Sequence, residues 1–396
     1  MRLNKTVLRS IAAAVIATPV VAMAIPDAEA AGPDVLPLTV TNNSGRGESV
    51  HLYVLGTNID TGKLGYVDSA GTFTAWSGGA NPPVAAPDVS IPGPANGASS
   101  TLKIPKGLSA RIYMSFGDKL DFKLSQDGGL VQPAPWADGD ANSDILFDWS
   151  EFTYNDAGLW LNSSQVDHFA VPHAVEVTGS DGETLRTGEL KPGGRDAVIE
   201  GLKAEEGFGD LVQTGPDGEV LRVLAPGKGA DSGDFDPNYL DPYIDEAWAA
   251  YGSEKLTVAP FKEQPDTKFY GTTSGDTMTF TDGSGAQVAE IQKPSTADVW
   301  GCDGNLAAPN DLVVGPIARS LCAALHRSTL GTAPVEPVTD AGEFYDNELT
   351  NHYSKLIHEQ MVDGKAYGFA FDDVAAQESL VHSGDPQTAA IELTAF

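Results

Sequence analysis

The sequence predicts a mainly β protein with an α/β part: a β-barrel or sandwich domain, an inserted mixed α/β domain, and a wide groove between the two. Three observations carry this expectation. Residues 34–180 hold short runs that alternate apolar and polar side chains, the pattern of half-buried strands. Glycine (43) and proline (26) are abundant while charged residues make up only 20% of the chain, which suits many strands joined by tight turns. Helical periodicity is confined to the middle of the chain, and alternation returns at its end.

Taken in order, residues 1–30 have the form of a signal peptide. Arg2, Lys5 and Arg9 give a positive start, Ile11–Ile25 is apolar, and Ala28-Glu29-Ala30 offers a small-x-small cleavage site. A secreted, extracellular protein is therefore expected. No later apolar run approaches the ~20 residues of a membrane-spanning helix. About 365 residues remain, long for one core and comfortable for two domains. In the first domain, 34–180, strands are expected at Leu36–Thr41, Val50–Leu55, Ser99–Ile104 and Ala110–Ser115, with turn clusters at Asn42–Gly47 and Pro92–Gly97. In the mixed domain, 181–361, the periodicity predicts helices over Asn238–Tyr251, Asn310–Ser328 and Ala341–Met361. Strand-like pieces lie among them at Glu219–Leu224 and Thr277–Thr281. The last part, 362–396, contains Lys365–Phe371 and Ala389–Thr394, expected as strands that rejoin the first domain and leave a cleft at the junction.

A formal charge of −31 repels nucleic acid and anionic lipid, so neither is an expected partner, whereas a neutral polymer is not hindered. A monomer is expected. Cys302 and Cys322 read as one disulfide of an exported chain, not as a catalytic thiol. No Gly-x-Ser-x-Gly elbow, phosphate loop or dinucleotide fingerprint is present, and no cofactor is expected. His358-Glu359 lacks the second histidine of a zinc helix. Asp138–Asp144 has the alternating oxygens of a calcium loop without its glycine and closing glutamate, so a solvated turn is expected. His168 and His173 flank a Val-Pro corner, where local hydrogen bonding is expected. No metal is anticipated.

The segment Phe147–Pro172 is where chemistry concentrates. It mixes aromatics with carboxylates, amides and hydroxyls, as sugar sites do: flat rings cover the C–H face of a pyranose and paired acids move protons. Alternation puts Glu151, Thr153 and Asn155 on one strand face and Phe152 and Tyr154 on the other. On pattern alone, an ordinary amphipathic strand accounts for this row as well. Trp160 and a second acid, Asp167, follow it.

These residues resemble the catalytic segment of glycoside hydrolase family 64, β-1,3-glucanases of thaumatin-like fold. The match runs through Trp149-Ser-Glu-Phe-Thr-Tyr154, Asn155, Trp160, Asn162 and Val166-Asp167. It continues at Met114-Ser-Phe-Gly117 with Asp121, Trp300-Gly-Cys-Asp-Gly304, Ile317–Ser328 and Tyr367–Val374. The resemblance implies a secreted endo-acting enzyme on β-1,3-glucan (laminarin, curdlan, cell-wall glucan) that inverts the anomeric centre and releases short products such as laminaripentaose. It makes Glu151 the general acid and Asp167 the general base. It puts Thr153, Asn155, Trp160 and Ser164 on the glucan, with threonine the family's usual residue at Ser164. Asp372 and Asp373, in the returning C-terminal strand, are expected to line the groove or to cap a turn. The alternatives are a non-catalytic thaumatin-like glucan-binding or defence protein, and a hydrolase of another β-glucan linkage.

One geometric demand follows. An inverting pair holds its carboxyl groups ~6.5–9.5 Å apart. A simple hairpin turning at Asn155–Gly158 sets Asn162 opposite Glu151 and leaves Asp167 about 16 Å further along a straight strand. The run Asn162–Gln165 must therefore bend or bulge. Glu151 is expected to be partly buried by aromatic neighbours, and Asp167 to be solvated and ionised.

Overall fold

In Val35–Asn42 every second side chain is buried, with Leu36, Leu38 and Val40 pointing inward. Alternation of this kind fixes which face of a strand meets the core. The computed structural model describes residues 32–396; the expected signal peptide lies outside the described residues. Val35–Asn42 belongs to a five-stranded sheet ordered Thr184–Thr187, His173–Gly179, Pro386–Leu393, Val35–Asn42 and Ala98–Pro105. A second, larger sheet runs from Leu380–Ser383 through Gly158–Ser163, Leu146–Asn155, Leu108–Phe116 and Val50–Asn58 to Lys63–Val67 and Phe73–Ala75. Leu36, Leu38 and Val40 of the first sheet share one apolar cluster with Leu52, Val54, Ile112 and Met114 of the second. The two sheets are thus packed face to face as a sandwich. Each fully buried Leu, Ile or Val stabilises it by about 1.5–3 kcal/mol.

The strands Leu380–Ser383 and Pro386–Leu393 lie in the two sandwich sheets, and the latter pairs in parallel with Val35–Asn42. The strand Thr184–Thr187, beyond the expected boundary at 180, is also an outer strand of the sandwich. Between them, residues 256–336 hold a five-stranded sheet, and Val212–Thr214 and Val220–Leu224 form a three-stranded one with His168–Phe169.

Helices Asp241–Ala250 and Val314–His326 form inside the expected segments. Two expectations fail. Ala341–Met361 is not one helix: a 3-10 turn at Ala341–Glu343 is followed by Tyr345 at φ 63°, and the α-helix covers only His352–Gln360. Its start is set by Asn351, whose side chain accepts the Ser354 N–H. Lys365–Phe371 is not a strand. It is a run without ladder partners whose Phe369, Ala370 and Phe371 complete the apolar core of the α/β part. Helix Gly194–Ala204 was not anticipated; it packs Val198, Ile199 and Leu202 against Tyr353 and Ile357.

Candidate active site

Strand Leu146–Asn155 buries Phe152 and Tyr154 in the sandwich and leaves Glu151, Thr153 and Asn155 partly exposed on its outer face. Its hairpin partner follows a tight turn in which Asn155 Oδ1 accepts the Ala157 N–H. Gly158 takes φ 119°, and a Cβ there would meet the Ser383 carbonyl oxygen at 2.1 Å, so only glycine closes this turn. The register sets Asn162 opposite Glu151 and Trp160 opposite Thr153, as the simple hairpin requires. On the other side, strand Leu108–Phe116 sets Arg111 opposite Glu151 and Ser109 opposite Thr153. The outer face thus carries one continuous polar and aromatic patch. Within it the Ser109 and Thr153 hydroxyls are 3.1 Å apart, and Trp160 stacks on His382 with ring centroids 4.2 Å apart.

The demanded bend begins after Ser163, where the chain leaves the sheet. Gln165 is the anchor: its N–H donates to the Tyr367 carbonyl, and its own carbonyl accepts the Tyr353 hydroxyl at 2.6 Å. Five residues on, the buried Asp148 carboxylate accepts the backbone N–H groups of Ala170 (2.9 Å) and Val171 (3.0 Å) as well as that of Trp149. One side chain therefore ties the strand that carries Glu151 to the segment that carries Asp167. Burial pushes its pKa up to about 7.

The bend delivers Asp167 to Arg111. Arg111 Nε donates to Glu151 Oε1 at 2.8 Å, while its Nη2 lies 3.7 Å from Asp167 Oδ2. Because one guanidinium spans both acids, these carboxylate oxygens are at most about 9 Å apart, which meets the upper limit for an inverting pair. The guanidinium rests 4.5 Å from the Trp149 ring. Lys228 Nζ approaches the other oxygen of Asp167 at 3.2 Å. Burial by itself would raise the Asp167 carboxyl, but Lys228 and Arg111 outweigh it and hold the group below the usual carboxylate range. Asp167 is thus ionised because two cations face it; the expectation of a solvated carboxylate is corrected, since its side chain is only 17% exposed. Glu151 is partly buried as expected, and the Arg111 guanidinium pairs with it.

The family model of the β-1,3-glucanases of glycoside hydrolase family 64 matches residues 34–393. The chain belongs to that family. A glucan endo-1,3-beta-glucosidase of Arthrobacter sp. (strain YCWD3) is 48% identical over 388 residues, covering 98% of this chain and 70% of the relative. A namesake from Cellulosimicrobium cellulans matches to the same extent, with 48% identity. Among solved structures, a laminaripentaose-producing β-1,3-glucanase in complex with laminaritetraose is 50% identical, with a TM-score of 0.88 over 92% of this chain and 99% of that one. The β-1,3-glucanase domain from Clostridium beijerinckii is 25% identical, with a TM-score of 0.77 over 94% and 100%.

Not every residue expected on the glucan of this family-64 chain lies on the patch. Ser164 is 2% exposed, because the turn out of the sheet carries it inward; it is not a surface contact. Asp372 is fully buried, ion-paired with Arg327 and His358 at 2.9 Å each, and accepts the Gly368 N–H. It caps a turn and locks the tail, which corrects its expected place in the groove and in a strand. Asp373 is partly exposed and paired with Arg319. Cys302 and Cys322 are joined, with Cα atoms 5.7 Å apart. With His326 they make the only metal-ligand grouping found among the described residues, and their sulfurs are committed to each other. In the calcium-like loop, Asp140 Oδ1 accepts the backbone and side-chain N–H groups of Asn142, and Asn142 Oδ1 accepts the Asp121 N–H. His173 donates to the Val171 carbonyl two residues away, the local bonding expected, whereas His168 donates to the Phe147 carbonyl, 21 residues away in the chain. A cavity of 630 Å³ between Ser328 and Asn347 includes none of the patch residues.

Sequence reasoning missed Arg111, Lys228 and Asp148. A lone arginine on the polar phase of the Ala110–Ser115 strand was a signal for the first. Nothing local marked the others.

Proposed function

We propose that this chain is a secreted, monomeric endo-β-1,3-glucanase that works by inversion, with Glu151 as general acid and Asp167 as general base. The observation that carries the reading is the bridging of both acids by Arg111 beside an open polar and aromatic face. The glucan lies along that face, where Trp160 meets the apolar side of a glucosyl ring and Thr153, Asn155 and Asn162 answer sugar hydroxyls. Glu151 gives its proton to the glycosidic oxygen. Asp167 takes a proton from a water that attacks C1 on the opposite face, so no glycosyl-enzyme forms and the new reducing end is the α-anomer. Short products such as laminaripentaose are part of the reading, supported by the activity named for the 50% identical relative. So is a thaumatin-like origin of the two-sheet sandwich. Secretion rests on the leader-like residues 1–30.

Proton NMR of fresh laminarin digests tests the mechanism, and the expected first product is α. Glu151→Gln and Asp167→Asn should each leave a folded, glucan-binding protein with turnover reduced by at least ~10²-fold. An initial burst of β-anomer would sink the assignment. A panel of laminarin, curdlan, lichenan and carboxymethyl cellulose separates this reading from a mere binder, which cleaves none, and from a hydrolase of another linkage.

A further inference from the structure

We propose that Lys228, on the Pro226–Ser232 helix, is a positioning residue for Asp167: with Arg111 it fixes the plane of that carboxylate and turns it toward the attacking water. The proposal rests on Asp167 being the general base. Each oxygen of the carboxylate faces a different cation from a different part of the fold. Arg111 Nη2 approaches Oδ2 at 3.7 Å from the sandwich, and Lys228 Nζ approaches Oδ1 at 3.2 Å from the helix.

Two further observations bind the helix to the acid. The N–H of Ala225, immediately before the helix, donates to the backbone carbonyl of Asp167 at 3.0 Å, so helix start and carboxylate move as one unit. The Lys228 ammonium also sits 4.7 Å from the centre of the Trp136 ring, which seats the cation and narrows its choice of rotamers.

The charges around Asp167 leave these two cations in command. Glu151 lies across Arg111 and is paired with it. Tyr113 and Tyr353, whose hydroxyls burial pushes up, stay neutral. His168, the next residue, is pushed down to about 3 by burial and is neutral as well. Behind Lys228 stands Asp303, whose carboxyl is raised by burial and by Asp298. Removing the ammonium therefore leaves Asp167 with one cation and the same burial, and its proton is held more tightly. The base is then lost at a higher pH.

The test is the pH dependence of kcat and kcat/KM on soluble laminarin for the full chain, Lys228→Met and Lys228→Arg, with anomer NMR on each. Lys228→Met is expected to lose at least roughly tenfold in kcat with little change in KM, and its acidic limb should move to higher pH. Lys228→Arg should return the limb to its original place. If Lys228→Met does not fold, Trp136→Leu unseats the ammonium and should shift the limb in the same direction by less. An acidic limb that stays put, at full or uniformly reduced rate, overturns the role of Lys228. Products that remain α in that case leave Asp167 as base; products that emerge as β remove the base assignment itself.

Discussion

His382 covers one face of the Trp160 indole, and the ring remains partly exposed beside Thr153. A residue in that position contributes little to the core, because deleting it leaves no closed cavity. Trp160→Ala is therefore expected to weaken glucan binding by roughly 1–3 kcal/mol while the melting temperature changes little. Thermal melting alongside kinetics decides the matter, since a collapse of the melting temperature would mark Trp160 as a packing residue. At this scale the sequence was informative where chemistry follows from residue type within one strand. Glu151, Thr153 and Asn155 share a face because side chains alternate, and the pattern shows that directly. Ser164 and Asp372 were misplaced because burial at a turn is decided by what packs over it; both are buried, and Asp372 is held by Arg327, distant in the chain.

Among the elements, the helix Val314–His326 and the short helix Thr296–Gly301 are joined by the Cys302–Cys322 disulfide, which closes a loop with a sequence separation of 20. Loop-entropy arguments give such a closure about 3 kcal/mol. The double variant Cys302→Ala/Cys322→Ala should lose about that much in denaturant unfolding. A loss below ~1 kcal/mol would mean that the packing around Leu321 and Val299 holds these helices without help. The other decisive element is the peeled strand after Ser163. Its hairpin register was legible from Asn155–Gly158, because turn residues fix register. Its departure from the sheet was required by the spacing of the two acids, but its means were not visible. Asp148 and Gln165 hold the bend through hydrogen bonds to Ala170, Val171, Tyr353 and Tyr367.

For the whole molecule, buried titratable groups set the dependence of stability on pH. Burial pushes His168 to about 3 and His173 and His326 to about 4. The unfolded chain protonates these below about 6.5, so they withdraw stability as pH falls through that value. Burial pushes Asp148, Glu336 and Glu378 up to about 7. These keep protons that the unfolded chain sheds above about 4.5, so they withdraw stability as pH rises toward 7. Between about pH 4.5 and 6.5 both sets are active, equal in number and opposite in sign, each group contributing about 1.4 kcal/mol per pH unit. The melting temperature should therefore be nearly level across that window. His326→Gln, which removes one member of the first set, should tilt the plateau so that stability declines as pH rises. A steady climb through the window in the unaltered protein would contradict the balance.

Most strand positions, the hairpin and the disulfide followed from the sequence alone, because each depends on local alternation, turn chemistry or residue type, whereas the pairing of Glu151 with Asp167 came from the resemblance to family 64. The mainly β character followed from the same signals. What only the tertiary structure decided is the company those residues keep. Arg111 is forty residues from Glu151, and Lys228 is carried on a helix that meets Asp167 through Ala225. Their approach depends on which sheet face is left open and on which segment packs across it. Contacts of that kind leave no periodic trace in a chain, since their energy comes from groups that become neighbours only once the core has formed.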